Sequence, residues 1–203
     1  ANALLNYDPN LEALDRAGIV HRLDKNTSGL MVVAKNQKSQ KYLVEQLQTH
    51  SVSREYSAIV YGHMIAGGTI NEPLGRDPKD RLKQTVLRNG RNATTHYRII
   101  NRFKSHTHLK VILETGRTHQ IRVHLSHIGY SLVGDSIYGG SVRYPKKASE
   151  SLKNELFNFR RQALHSRKLT LNHPVSGELL SWKAPLPKDI VKLLNVLAEF
   201  EKT

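Results

Sequence analysis

Hydrophobic residues along this chain fall into short runs with two different periods. Residues 30–34 (LMVVA) are continuously apolar, which predicts a buried strand. Leu43 and Leu47 lie one helical turn apart behind Asn36, a helix-capping residue type, so a helix is expected over about 37–49. From 54 to 61 the period drops to two, placing Tyr56, Ala58 and Val60 on one face of a strand. Gly67-Gly68 reads as a turn between strands. Two further strands are expected near 94–102 and 107–114, the second with Leu109, Val111 and Leu113 on one face.

Gly116 breaks that strand, and a helix is expected from about 118 to 128 with Ile121, Leu125 and Ile128 on its buried stripe. Gly129 suits its C-terminal stop. Residues 130–150 are loop-rich, and a short helix carries Leu152, Leu156 and Phe159. Residues 162–171 and 178–183 predict a hairpin around His173-Pro174-Val175-Ser176-Gly177. After Pro185 and Pro187, Asp189 is expected to cap a last helix bearing Ile190, Leu193, Leu194 and Leu197.

Strands joined by short turns, with helices inserted at intervals, make the fold class α+β, with a largely antiparallel mixed sheet flanked by helices and loops. No repeat and no Pro- or Ser-rich linker divides the chain, so residues 1–203 are expected to form one domain. Residues 1–19 have little strand logic, and the first residue is Ala1 rather than Met. The chain is expected to be an N-terminally incomplete piece of a longer protein.

Residues 75–92 break the pattern. Arg76, Lys79, Arg81, Lys83, Arg88 and Arg91 stand there with few apolar residues between them, predicting a basic loop or a long exposed hairpin. The whole chain shares this bias: 31 Lys and Arg against 17 Asp and Glu leave a formal charge of +14. Such a balance favours a polyanionic partner through neutralised phosphates and released counterions. No apolar run approaches a membrane span, and no signal-peptide pattern opens the chain, so no membrane role is expected and a cytoplasmic location is. The absence of cysteine removes disulfides and thiolate metal sites.

Two polar clusters carry candidate chemistry. The first is His21-Arg22-Leu23-Asp24-Lys25-Asn26-Thr27-Ser28-Gly29. Arg22 and Lys25 surround Asp24 with positive charge, which suits a carboxylate acting as nucleophile or base; a plain turn, with Asp24 accepting backbone N–H groups, explains the same residues. The second runs from Thr115 through Gly116, Arg117, Thr118, His119, Gln120, Ile121 and Arg122 to His124. Arg117, at the mouth of the helix, can pair with a carboxylate such as Asp24 or grip a phosphate; an amphipathic helix with a solvated basic face is the simpler alternative. Tyr56, in Arg54-Glu55-Tyr56, reads first as a core residue with a bonded hydroxyl. The histidines of the second cluster have no HExxH spacing and no carboxylate beside them, so no metal is expected. Neither a GxxxxGK[ST] loop nor a GxGxxG fingerprint occurs.

In this order, the segments resemble the RluA family of pseudouridine synthases over about residues 15–190. His21 to Leu30 resembles that family's nucleophile motif and Arg54 to Ala58 its tyrosine motif. Thr115 to Arg122, followed by Gly134-Asp135 and Tyr138-Gly139, resembles its arginine motif. Arg16 to Val20, Arg161 to His165 and Trp182 to Pro185 resemble members that modify large-subunit ribosomal RNA. The resemblance implies isomerisation of uridine to pseudouridine without a cofactor, with Asp24 as nucleophile. Tyr56 would stack on the target uracil and help move its C5 proton. Arg117 would pair with Asp24 and orient it, and Arg22 would help displace the base. His119, Gln120, Arg122, Arg76, Lys79 and Arg81 would contact RNA.

The implied partner is large-subunit ribosomal RNA or a pre-ribosomal particle, met by a monomer. Members of this type also carry an upstream strand motif with a Lys-Pro pair and an S4-type RNA-binding domain. This chain contains neither, so its sheet is expected to lack a strand or two. Transfer RNA as substrate, a non-catalytic RNA-binding module and a metal-dependent nuclease are the competing readings.

Overall fold

A computed structural model describes residues 2–202; Ala1 and Thr203, the ends of the expected domain, lie outside the described residues. After helix α1 (Asn2–Tyr7) and two short 3-10 turns, the chain forms β1 (Ser28–Gly29), α2 (Gln37–Gln48), β2 (Ser53–Tyr61) and β3 (Gly68–Asn71). Next come β4 (Leu74–Arg76), β5 (Gln84–Val86), β6 (Thr94–Arg102), β7 (His106–Leu113) and α3 (Gln120–His127). The last elements are α4 (Glu150–Asn158), β8 (Leu164–Asn172), β9 (Leu179–Lys183) and α5 (Lys188–Glu201).

A seven-stranded sheet runs β1-β8-β2-β7-β6-β3, with β9 also paired to β8. Its β1–β8 pair is parallel and its other pairs are antiparallel, as the α+β reading expected. The β1–β8 contact needs Gly29. Its φ of 113° is left-handed, and a Cβ there would overlap the carbonyl of Ser166.

Strand β2 lies in the middle, so its second half is buried on both faces. On one face Ala58 and Val60 join Leu109, Val111, Ile121 and Leu125, which places α3 over that side. On the other, Ile59 and Tyr61 join Leu152 and Leu156 of α4 and Ile190, Leu193 and Leu197 of α5. Burying a Leu or Ile side chain is worth about 1.5–3 kcal/mol, so each helix is held by its apolar stripe. The basic segment 75–92 is built on a hairpin, β4 with β5, whose turn is braced by Asp77 accepting the N–H groups of Lys79 and Asp80. Among the described residues no helix is long and apolar enough to cross a membrane.

Three expected elements differ. Residues 30–34 are not a strand of the sheet. They fold back on 18–21: Val33 bridges Ile19, the Ala34 N–H donates to the Gly18 carbonyl, and the Val32 N–H donates to His21 Nε2 at 2.9 Å. The Leu30 N–H still reaches the Ser166 carbonyl of β8, but the rest of the run is covered by Leu43, Leu169 and Leu171 rather than paired into the sheet. Helix α3 starts at Gln120 instead of 118, because His119 takes a left-handed conformation with φ 57°. Helix α5 is preceded by Pro187, and Asp189 sits within its first turn, where Arg161 holds it at 2.6 and 2.9 Å.

Candidate active site

Asp24 lies in the loop between Ile19 and β1. Its carbonyl accepts the Thr27 N–H, and Asn26 turns the chain with φ 69°. Gln162, 4% exposed, fastens this turn from behind by donating to the Lys25 carbonyl at 2.7 Å and to Thr27 Oγ1 at 2.9 Å. The loop therefore has a fixed shape before any substrate arrives.

A cleft of about 430 Å³ opens beside the loop. Asp24, Arg22, Arg54, Tyr56, Arg117 and His119 line it. Arg122 Nη1 is 3.6 Å from Asp24 Oδ2, while its Nε and Nη2 grip Asp135 at 2.7 and 2.9 Å. Burial opposes the charge on Arg122, but hydrogen bonds to Asp135 and attraction to Asp135 and Asp24 outweigh it and push its pKa up. Burial likewise favours a neutral Asp135, and the Arg122 fork overrides it, holding that carboxyl below the usual range.

Tyr56 arrives from the centre of β2 with 6% of its surface exposed. Burial raises its phenol pKa, against the Arg54 cation and a hydrogen bond with Ser166, and nearby Asp24 adds to the rise. Arg54 is also 6% exposed. Its Nη2 donates to the Glu114 carbonyl at 2.9 Å, and its Nε has no hydrogen-bond partner. Gly116 makes room for this guanidinium, since a Cβ at that position would stand 2.5 Å from Arg54 Nη1.

The expected pairing of Arg117 with Asp24 is made instead by Arg122. Arg117 is exposed on the same cleft and donates through Nε to the Asn92 carbonyl at 3.1 Å. The physical reason is the helix start. With His119 left-handed and α3 beginning at Gln120, Arg122 projects inward beneath the loop while Arg117 stays on the strand-to-helix turn. Gln120, expected on RNA, is 2% exposed and spends its polar groups on Thr115, Arg117, Thr94 and Thr95. It braces the α3 start against β6. Arg122, also expected on RNA, is 4% exposed and committed to the two aspartates.

Arg22 is exposed at the cleft's edge, and His119 lines the cleft, half-buried. Arg76, Lys79 and Arg81 are exposed on the hairpin. Asp135 and Tyr138 were legible only as parts of a motif, and nothing in their spacing said that they build the arginine's support. Gln162 carried no signal of its role behind the loop.

The model of a family described as RNA pseudouridylate synthase matches residues 2–127. Among curated relatives, Ribosomal large subunit pseudouridine synthase D of Salmonella typhimurium is 55% identical over 201 residues, covering 98% of this chain and 62% of that protein. The protein of the same name from Pseudomonas aeruginosa is 54% identical over 198 residues, covering 98% and 62%. The chain thus spans about three-fifths of the length of these relatives. The solved structure of Human RNA Pseudouridylate Synthase Domain Containing 4 superposes with a TM-score of 0.70 at 29% identity, covering 89% of this chain and 75% of that one.

Proposed function

This chain belongs to the RNA pseudouridylate synthase family, and on that premise we propose that it is a catalytic domain that isomerises uridines of large-subunit ribosomal RNA to pseudouridine with Asp24 as nucleophile. The observation that carries the reading is the Asp24–Arg122 pair at 3.6 Å, opening into a cleft beside Tyr56. The names of the curated relatives support the ribosomal substrate.

The reaction breaks the N1–C1′ bond, turns the base and joins C5 to C1′. Electrons and atoms balance without an oxidant or an added group. The Asp24 carboxylate attacks ribose C1′ or uracil C6, with Arg122 holding the carboxyl in place from the buried side. The target uridine must first leave its stack, which costs a few kcal/mol and least in a loop. Stacking on an aromatic ring returns about 1–3 kcal/mol per base, the part we assign to Tyr56. We also assign Tyr56 to help move the C5 proton, which leaves to solvent as N1 takes one up. Arg22 fills the space the base leaves. Arg117, released from carboxylate duty, grips a phosphate with Arg76, Lys79 and Arg81. We take the acting form to be a monomer in the cytoplasm, working on the RNA alone or within a pre-ribosomal particle.

The test is tritium release from [5-³H]uridine-labelled large-subunit ribosomal RNA. Wild type should release tritium and Asp24→Asn should not. Release that survives Asp24→Asn removes the nucleophile. Release from transfer RNA alone moves the substrate, and none from either RNA removes the activity.

A further inference from the structure

Tyr138 is tied at four points. Its N–H donates to Asp135 Oδ1 at 3.0 Å, and its carbonyl accepts Ser126 Oγ at 3.1 Å. Its ring lies 5.0 Å from the Arg122 guanidinium. Its hydroxyl receives the backbone N–H of Gln84 at 2.9 Å and sits 2.8 Å from His119 Nδ1. Gln84 opens strand β5 of the basic hairpin, and the hairpin's Leu74 and Val86 pack with Val123 of α3 and with Tyr138. One phenol oxygen therefore joins the hairpin to a histidine that lines the cleft.

The proton count decides how. With the Gln84 N–H filling one lone pair, the phenol proton is free to go to His119 Nδ1. That arrangement makes Nδ1 an acceptor and leaves the ring proton on Nε2. The reverse, Nδ1–H donating to the phenol, would leave the phenol proton without a partner among the described residues. His119 Nε2 has no hydrogen-bond partner among the described residues. Burial lowers the His119 pKa, against the pull of Asp24, which keeps the ring neutral.

We propose that Tyr138 is a positioning residue that couples docking of the β4–β5 hairpin to the cleft, fixing His119 in the Nε2–H tautomer as a donor to an oxygen of the target nucleotide. This rests on the proposed isomerisation. The Gln84 N–H holds the phenol oriented, and the phenol holds the imidazole, so the hairpin's seating sets the ring that lines the cleft.

The experiment compares wild type, Tyr138→Phe, His119→Asn and the double variant; Asn tolerates the left-handed backbone at 119. Single-turnover tritium release, RNA affinity and ¹⁵N spectra of histidine-labelled protein are recorded. Wild type should show His119 with an unprotonated Nδ1, and Tyr138→Phe should mix the two tautomers. Tyr138→Phe should slow release by about tenfold with RNA affinity changed less than about twofold. It should add little in the His119→Asn background, because the two act as one unit. A wild-type ring protonated at Nδ1, an unchanged rate in Tyr138→Phe, or a full additive loss in the double variant overturns the proposal. A wild type without activity on any RNA overturns the isomerase reading instead, and the tautomer spectra then still decide whether Tyr138 sets His119.

Discussion

Arg122 holds Asp24 and Asp135 at once, with its Nη1 3.6 Å from the first and its Nε and Nη2 at 2.7 and 2.9 Å from the second. The fork is strong on the buried side and loose on the cleft side. Asp135 is thereby the anchored carboxylate, and Asp24 the one left open to the cleft.

The two carboxylates should separate in a stability measurement. The Asp135 side chain is fully buried and accepts four hydrogen bonds, from Arg122 twice and from the N–H groups of Ile137 and Tyr138. Asp135→Asn breaks a buried pair and should cost about 3–5 kcal/mol. Asp24, 15% exposed on one longer ion pair, should cost under about 1 kcal/mol when changed to Asn. Urea denaturation of both variants measures this, and equal losses would show that Arg122 depends on Asp24 as much as on Asp135.

Arg122→Lys keeps a charge but cannot fork. We expect turnover to fall by about a hundredfold with RNA affinity nearly unchanged, because the substitution disturbs the geometry of the Asp24 carboxyl and leaves the exposed cations of the cleft edge and hairpin in place. Arg117→Ala should do the opposite, weakening binding with a smaller effect on the single-turnover rate. Rates and affinities of the two variants, side by side, assign the orienting arginine.

Acid should destabilise the fold early. Burial lowers the pKa of His21, His106 and His108 from 6.5 to about 4, with Arg54 adding to the effect at His21 and Arg167 at His108. Between pH 6.5 and 4 the unfolded chain binds these protons and the native one does not, so stability rises with pH across that window. Each histidine contributes a slope of up to about 1.4 kcal/mol per pH unit. Unfolding free energies at pH 7 and pH 5 test this; equal values would mean that these rings take up protons while folded.

The hairpin cations should show themselves through salt. Lys79→Ala with Arg81→Ala should weaken RNA binding and reduce the slope of log K against log salt by about 0.7–0.9 for each phosphate that is no longer neutralised. Gln120→Ala should lower the melting temperature and leave that slope alone, since its amide braces α3 against β6. A changed slope in Gln120→Ala would put that residue back on the RNA.

Much of the architecture was legible because its signals are local. Asn36 caps α2 through the Ser39 N–H, the alternation through Leu109, Val111 and Leu113 is β7, and Gly129 stops α3 with φ 87°. Period, cap and turn chemistry act over a few residues, so they can be read without the rest of the molecule. The motif residues were equally visible, and the cleft brings Asp24, Tyr56 and Arg117 to one place.

The sequence by itself therefore determined most of the element types, the basic character of 75–92 and the segments that meet at the cleft. Only the tertiary structure decided which arginine faces Asp24, because Arg117 and Arg122 are five residues apart and the left-handed turn at His119 sets which one projects inward. It alone decided that residues 30–34 fold back on 18–21, since an apolar run needs cover but does not say from where. The joining of Gln84, Tyr138 and His119 through one phenol oxygen was likewise outside the sequence's reach. Contacts between residues 19 to 54 positions apart depend on how the sheet and α3 pack, and no local pattern carries that information.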